Sequence, residues 1–179
     1  MRNVEYAGKL GYVIKLIGMS RVCADGMVNV MVSPMMILKE HPLAAVEGVN
    51  NAIMVDGNAI GSAMFYGPGA GKLPTASAVV ADVIDIAKNR SSENRLLWTK
   101  SDDGVIAPQD KSEFKYLVRI GAAYTDAMAT VRDVFGDCTY IDLYEDEFAF
   151  VTDNMSEGEL KSKFAALTYK IIDFTRILS

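Results

Sequence analysis

The stretch Met64-Phe65-Tyr66-Gly67-Pro68-Gly69-Ala70-Gly71-Lys72-Leu73-Pro74-Thr75-Ala76-Ser77-Ala78-Val79-Val80-Ala81-Asp82-Val83-Ile84 runs from an apolar strand end, through three glycines in five residues, into a helix. Spacing carries the helix reading: Ala76, Val79, Val80, Val83, Ile84 and Ala87 recur at i, i+3, i+4, i+7, i+8 and i+11. Pro74 suits a first helical turn, and Thr75 offers a capping hydroxyl. Glycines let the backbone bend and let another molecule approach it closely. Ahead of a helix N-terminus, they leave unpaired N–H groups facing an anion or a polar ligand edge.

Upstream, the pattern is one of hairpins. Residues 59–66 read as the strand that feeds the glycine loop, and Gly57-Asn58 turns it back on a partner at 51–56. Residues 11–19 are rich in β-formers, Asp25-Gly26 is a turn signal, and 27–34 is the returning strand. Both strands of that first pair are largely apolar, which predicts cover on both faces. A short helix is expected over 3–10. Pro42 keeps His41 out of helical geometry, so His41 reads as a loop residue before a short helix through Val46. Nothing nearby orients it as a base.

Downstream, 90–112 is polar and helix-breaking and reads as a linker, with Leu96-Leu97-Trp98 as a local anchor. The remainder has a regular order. Residues 114–120 alternate like a strand, and 124–135 have helical spacing. Residues 138–144 and 147–152 form a hairpin about Glu145-Asp146. Ser156 and Glu159 open a helix as a capping box, and 171–178 is a closing strand. This is the βαββαβ order of the ferredoxin-like arrangement. Hairpins in the first part and this order in the second give an α+β class with a mixed or antiparallel sheet, not a doubly wound one. Small open sheets leave edges that pair with a second copy.

Composition narrows the function classes. The 179 residues carry a net charge of -5. That balance argues against nucleic acid and against an anionic membrane as partners. Residues 1–90 hold 8 Lys/Arg against 7 Asp/Glu, whereas 91–179 hold 10 against 16, a step that places a boundary near 90. No apolar run is long enough for a membrane span, and the first six residues lack the core of a signal peptide, so a cytoplasmic location is expected. Cys23 and Cys138 read as reduced, buried thiols, and no metal site is expected with His41 as the sole histidine. The ten methionines read as core fillers, and the acidic run Asp142, Glu145, Asp146, Glu147 as a solvated hairpin tip rather than a calcium loop.

Four motifs, in order, resemble the homoserine dehydrogenase family: residues 10–18, His41-Pro42-Leu43-Ala44, Asn51-Ala52-Ile53, and above all Phe65 to Gly71 followed by Pro74 to Asp82. The resemblance implies that 1–90 is the C-terminal part of that family's substrate and dimerisation domain, 91–112 a linker, and 113–179 an ACT-like tail domain. It implies an enzyme interconverting L-aspartate 4-semialdehyde and L-homoserine with NADP or NAD in threonine, methionine and isoleucine biosynthesis. The family's Rossmann domain and catalytic lysine lie before the point where this chain enters the pattern. No catalytic residue is therefore assigned here, and the chain alone is expected to be inactive. Cofactor contact carries over to Gly71, with Gly69 and Ala70 shaping the approach. A homodimer is implied, and L-threonine is the implied effector, although Gly121-Ala122-Ala123-Tyr124-Thr125-Asp126 lacks the usual glycine entering the helix. The rival reading is a non-catalytic ACT-type regulatory or oligomerisation module that binds an amino acid.

Overall fold

The computed structural model describes residues 2–89 and 104–178. They fall into two units: one joins Met1–Lys39 to Ser101–Ser179, and the other is Glu40–Lys100.

The first unit is built on one sheet. β1 (Tyr12–Val22) and β2 (Val28–Leu38) form the expected antiparallel hairpin, in unbroken register from Tyr12 opposite Leu38 to Val22 opposite Val28. Asp25 shapes the turn by accepting the Met27 N–H at 3.0 Å, and Gly26 supplies a φ of 81°. The later strands are β5 (Glu113–Ile120), β6 (Thr139–Tyr144), β7 (Glu147–Val151) and β9 (Ile171–Ile177). They stand in the order β9-β5-β7-β6, antiparallel throughout, with α3 (Tyr124–Phe135) and α4 (Glu157–Ala165) in the connections. That is the ferredoxin-like order read from the sequence. A two-residue strand, β8 (Met155–Ser156), adds to the start of β5 and was too short to leave a sequence signal. Ser156 caps α4 by accepting the Glu159 N–H at 3.1 Å.

The hairpin is part of this sheet. β2 lies parallel to β9, pairing Met35 with Arg176 and Met36 with Ile177. The compact units therefore do not follow the division into 1–90 and 113–179 that the resemblance implied, nor the boundary near 90 that the charge step suggested. Surface charge reports on solvation, whereas the strand pairing follows the apolar Met35-Met36-Ile37 end of β2, which is fully buried. The β9 edge, one of the two that a lone βαββαβ unit leaves open, is covered by the chain's own β2. The part of the linker inside the described residues is also docked. Val105 accepts the Val28 N–H at 2.7 Å, and the Ala107 N–H returns to Val28 at 2.9 Å. Trp98 lies outside the described residues.

Strand alternation divides the core between two faces. Tyr116, Val118 and Ile120 of β5 meet Ala127, Val131 and Phe135 of α3 and Leu160 of α4. Leu117, on the opposite face, meets Tyr6 and Ala7 of α1 (Arg2–Lys9), together with Met36, Ala149 and Ile177. Phe148 and Phe150 are fully buried, and truncating either to alanine would cost about 3–5 kcal/mol. Met31, Met35, Met36 and Met155 are buried, as the core-filler reading expects, whereas Met64 is 42% exposed and departs from it. Cover on both faces does not hold along the whole hairpin, because Leu16, Val22 and Val32 are exposed.

The second unit holds β3 (Asn50–Gly57), β4 (Gly61–Pro68) and α2 (Lys72–Lys88). β3 and β4 form the second expected hairpin, paired from Asn50 opposite Pro68 to Gly57 opposite Gly61. The stripe that identified α2 is present, but no residue of the helix is buried. Val79, Val80, Val83 and Ile84 are all exposed. Before β3, His41 caps a 3-10 turn over Pro42–Ala45, its Nδ1 accepting the Leu43 N–H at 3.2 Å. That structural bond is the loop role expected of it.

Candidate functional site

The glycine loop begins where the β3–β4 ladder ends. Asn51 pairs with Gly67 and Asn50 with Pro68, and one further bond, from the Gly69 N–H to the Val49 carbonyl at 3.2 Å, carries the pairing past the strand. The chain then turns at Gly71, whose φ of 126° and ψ of 158° lie outside the range of residues with a side chain. Gly71 is the N-cap of α2, and no side chain caps this helix. Thr75 stands a turn further in, its N–H donating to the Gly71 carbonyl at 3.1 Å, so its hydroxyl is not the cap that the sequence suggested. Helix entry comes from the backbone freedom of Gly71, with Pro74 in the first turn, where a missing N–H costs nothing. The Lys72 and Leu73 N–H groups are left at the helix start without a side-chain acceptor.

The residues expected to approach a cofactor sit together here, and glycine is required at 69 and at 71 for different reasons. A Cβ on Gly67 would meet nothing within 4 Å. A Cβ on Gly69 would overlap the Asn51 carboxamide nitrogen and stand 3.1 Å from the Asn51 Cβ. A Cβ on Gly71 would make an ordinary 3.5 Å contact with the Pro74 ring, so Gly71 is required by its dihedral angles rather than by crowding. Ala70 is exposed between them. From Gly67 to Gly71 no side chain is larger than the Pro68 ring, and the backbone from Gly69 onward is exposed. Such a surface fits the edge of a flat cofactor ring laid along the backbone. Asn51 was read as the start of a strand and as part of the Asn51-Ala52-Ile53 motif, with no role at the glycine loop. The signal that could have marked it is its register, opposite one glycine and diagonal to another.

A second polar constellation lies in the first unit. Arg119 of β5 donates to Glu147 of β7 through Nε at 3.1 Å and through Nη2 at 2.7 and 2.8 Å. Arg2 of α1 adds a contact to Glu147 at 3.0 Å and binds Asp146 at 2.9 Å. The Arg119 Nη1 donates to Asn3 Oδ1 at 2.6 Å, and the Tyr6 hydroxyl donates to the Glu147 carbonyl at 3.2 Å. Glu147 is 2 % exposed, so the acidic run is solvated only in part. Burial alone would raise the Glu147 pKa, but hydrogen bonds from Arg119 and Arg2 outweigh it and hold the carboxyl below its ordinary value. Burial, and then the Glu147 charge, push the Tyr6 phenol up to about 12. A carboxylate this fully supplied with donors ties α1 to the sheet and has no proton to exchange near neutrality. Its sequence signal was Arg119 itself, which shares the inward face of a central strand with Leu117 and so requires a buried counter-charge.

The sequence model of homoserine dehydrogenase matches residues 1–84. The Neisseria gonorrhoeae homoserine dehydrogenase is 49% identical over 87 residues, covering 49% of this chain and 20% of that protein. The Pseudomonas aeruginosa enzyme is 42% identical over 127 residues, covering 67% of this chain and 29% of that protein. Residues 1–84 belong to the homoserine dehydrogenase family. The matched segment ends inside α2, so it takes in both hairpins and the whole glycine loop. Solved structures extend the likeness over the tail. A homoserine dehydrogenase from Thiobacillus denitrificans aligns with 99% of this chain and 45% of its own, with a TM-score of 0.84 and 26% identity. The S. aureus homoserine dehydrogenase aligns with 99% of this chain and 44% of its own, at a TM-score of 0.75 and 28% identity. The chain spans between 20% and 29% of the length of the two homoserine dehydrogenase sequences compared above.

Proposed function

We propose that this chain supplies the C-terminal part of a homoserine dehydrogenase, an enzyme that interconverts L-aspartate 4-semialdehyde and L-homoserine with NAD or NADP. The observation that carries the reading is the Gly67–Gly71 loop, set by the family sequence between a strand end and the open N-terminus of α2. Gly71 and Ala70 form a bare wall for the nicotinamide side of the cofactor, and Gly69 keeps that wall close to Asn51. When bound, the nicotinamide supplies or accepts the hydride. The chain's own residues hold that ring against the reacting carbon and exclude water behind it. The catalytic lysine and the phosphate and ribose contacts come from other parts of the enzyme. The exposed apolar stripe of α2 supports this division, since a contiguous face of that kind marks a surface covered in the working molecule.

The test joins this chain to the cofactor-binding and lysine-bearing portion of the Pseudomonas aeruginosa homoserine dehydrogenase. Homoserine-dependent reduction of NAD or NADP is then measured with and without Gly71→Val. The joined protein should turn over, and Gly71→Val should raise the cofactor KM or abolish turnover. Unchanged kinetics with both cofactors would remove Gly71 from the site.

We further infer that the βαββαβ tail is an ACT-like domain whose role is pairing with a second copy, in a cytoplasmic homodimer. The strand order supports it, together with a β6 edge that pairs with no other strand than β7 among the described residues. An L-threonine effector is the sharper form of this reading. Calorimetric titration of L-threonine into the chain should give saturable heat if the tail senses it, and a flat titration leaves the tail to assembly alone.

A further inference from the structure

Gly67 and Gly69 point toward the same face of the β3–β4 ladder, and neither fills it. Asn51 stands opposite Gly67 on the neighbouring strand, which makes Gly69 its diagonal neighbour on that face. The Asn51 carboxamide lies against Gly69, whereas a Cβ on Gly67 would meet nothing within 4 Å. The carboxamide nitrogen takes the place where a side chain on residue 69 would begin, and the Asn51 Cβ is 3.1 Å from that point. The Gly69 N–H, bonded to Val49 at 3.2 Å, fixes the same residue from the backbone side. Residue 69 is therefore gripped from two directions, two positions ahead of the left-handed Gly71.

We propose that Asn51 is a positioning residue for the cofactor wall. By filling the space against Gly69, its carboxamide sets the path of the backbone into Gly71 and so the height at which a nicotinamide ring rests. The claim rests on the functional reading given above. It goes beyond that reading by assigning the placing of the loop to a side chain outside it. Gly69 then serves Asn51 rather than the cofactor. The work is done by the shape of the carboxamide, so leucine, of similar size and branching, should replace it.

Two measurements decide the matter, the first without any cofactor. In the isotope-labelled 179-residue chain, the Asn51 side-chain amide protons should show a nuclear Overhauser contact to the Gly69 Hα protons. The Gly69 to Lys72 amide shifts should move more in Asn51→Ala than in Asn51→Leu. Absence of the contact, or the reverse order of shifts, overturns the proposal. In the joined enzyme, Asn51→Ala should raise the cofactor KM about tenfold, as a small misplacement of reacting groups does. The KM for homoserine should stay within about twofold, and Asn51→Leu should recover most of the loss. An equal rise in both KM values, or no rise, overturns it. If the unmodified joined enzyme fails to oxidise homoserine, the functional reading fails, and the magnetic-resonance measurement still decides the role of Asn51.

Discussion

Glu147 and Arg119 stand on neighbouring antiparallel strands and meet in a two-pronged ion pair, at 2.7 and 2.8 Å from one guanidinium nitrogen. With Arg2 on the same carboxylate, the pair closes α1 onto the sheet. Removing one partner of a buried pair leaves the other uncompensated. Arg119→Met should therefore lower unfolding stability by about 3–5 kcal/mol. The double variant Arg119→Met/Glu147→Met should lose less than the sum of the two single losses, as urea unfolding of all four proteins would show.

The same carboxylate makes the fold sensitive to acid in a defined direction. The folded pKa of Glu147 lies below the ordinary value of 4.5. Its contribution is then complete above that value and is lost as pH falls through the lower folded value. Melting temperatures of the native chain and of Glu147→Gln, compared from pH 7 to pH 3, should differ most near neutrality and converge at the acid end. A gap that widens on acidification would reverse the assignment.

Arg176 of β9 donates to the Ser33 hydroxyl of β2 at 2.8 Å and also binds Glu157 of α4. Among the described residues two pairs join β2 to β9 in the ladder, and these side-chain bonds add to the burial of Met35 and Met36 in holding the hairpin to the tail. Arg176→Met should cost about 1.5–3 kcal/mol, the range for hydrogen bonds to charged groups. Amide exchange should rise more in β2 than in β7. Equal acceleration in both strands would show that the hairpin does not depend on Arg176.

How far the fold was legible depends on the range of the signal. Asp25-Gly26, the capping serine at 156 and the alternation of 114–120 are local, and each produced the element it announced. The pairing of Met35 and Met36 with Arg176 and Ile177 joins residues far apart in sequence, and neither strand shows its partner in its own pattern. The charge step near residue 90 therefore suggested a boundary that the sheet crosses. In the glycine loop, the need for glycine at 71 was legible as flexibility. The need at 69 was not, because it comes from a side chain on another strand.

Cys138 sits half-buried just before β6, and burial, then Asp153 and Asp137, push its thiol up to about 11. Near neutrality it is almost entirely protonated, and the thiolate is the reactive form. A colorimetric disulfide reagent at pH 8 should label Cys138 far more slowly than a free thiol. Unfolding in urea should abolish the difference. Rapid labelling of a Cys23→Ser variant in the folded state would contradict this.

The exposed stripe of α2 should be visible in solution. Val80 and Ile84 are 55% and 47% exposed on neighbouring turns. The chain should enhance the fluorescence of an apolar-surface dye, and Val80→Lys/Ile84→Lys should remove much of that signal without lowering the melting temperature of the sheet. A dye signal that survives the double change would move the apolar surface elsewhere, for example to Ile53 and Phe65 of the second hairpin or Leu16 and Val32 of the first, which are also exposed.

The docking of residues 105–107 beside Val28 has a consequence for any attempt to shorten the chain. The polypeptide leaves the sheet after Leu38, at one end of β2, and rejoins it beside Val28, at the other. Those points are separated by the length of the strand, about 33 Å for ten extended steps. A deletion of 40–103 cannot be closed by a tight turn. The replacement must be a spacer of about ten extended residues or more running back along β2. The minimum length of any replacement is thus set by the sheet rather than by the fold of the segment removed.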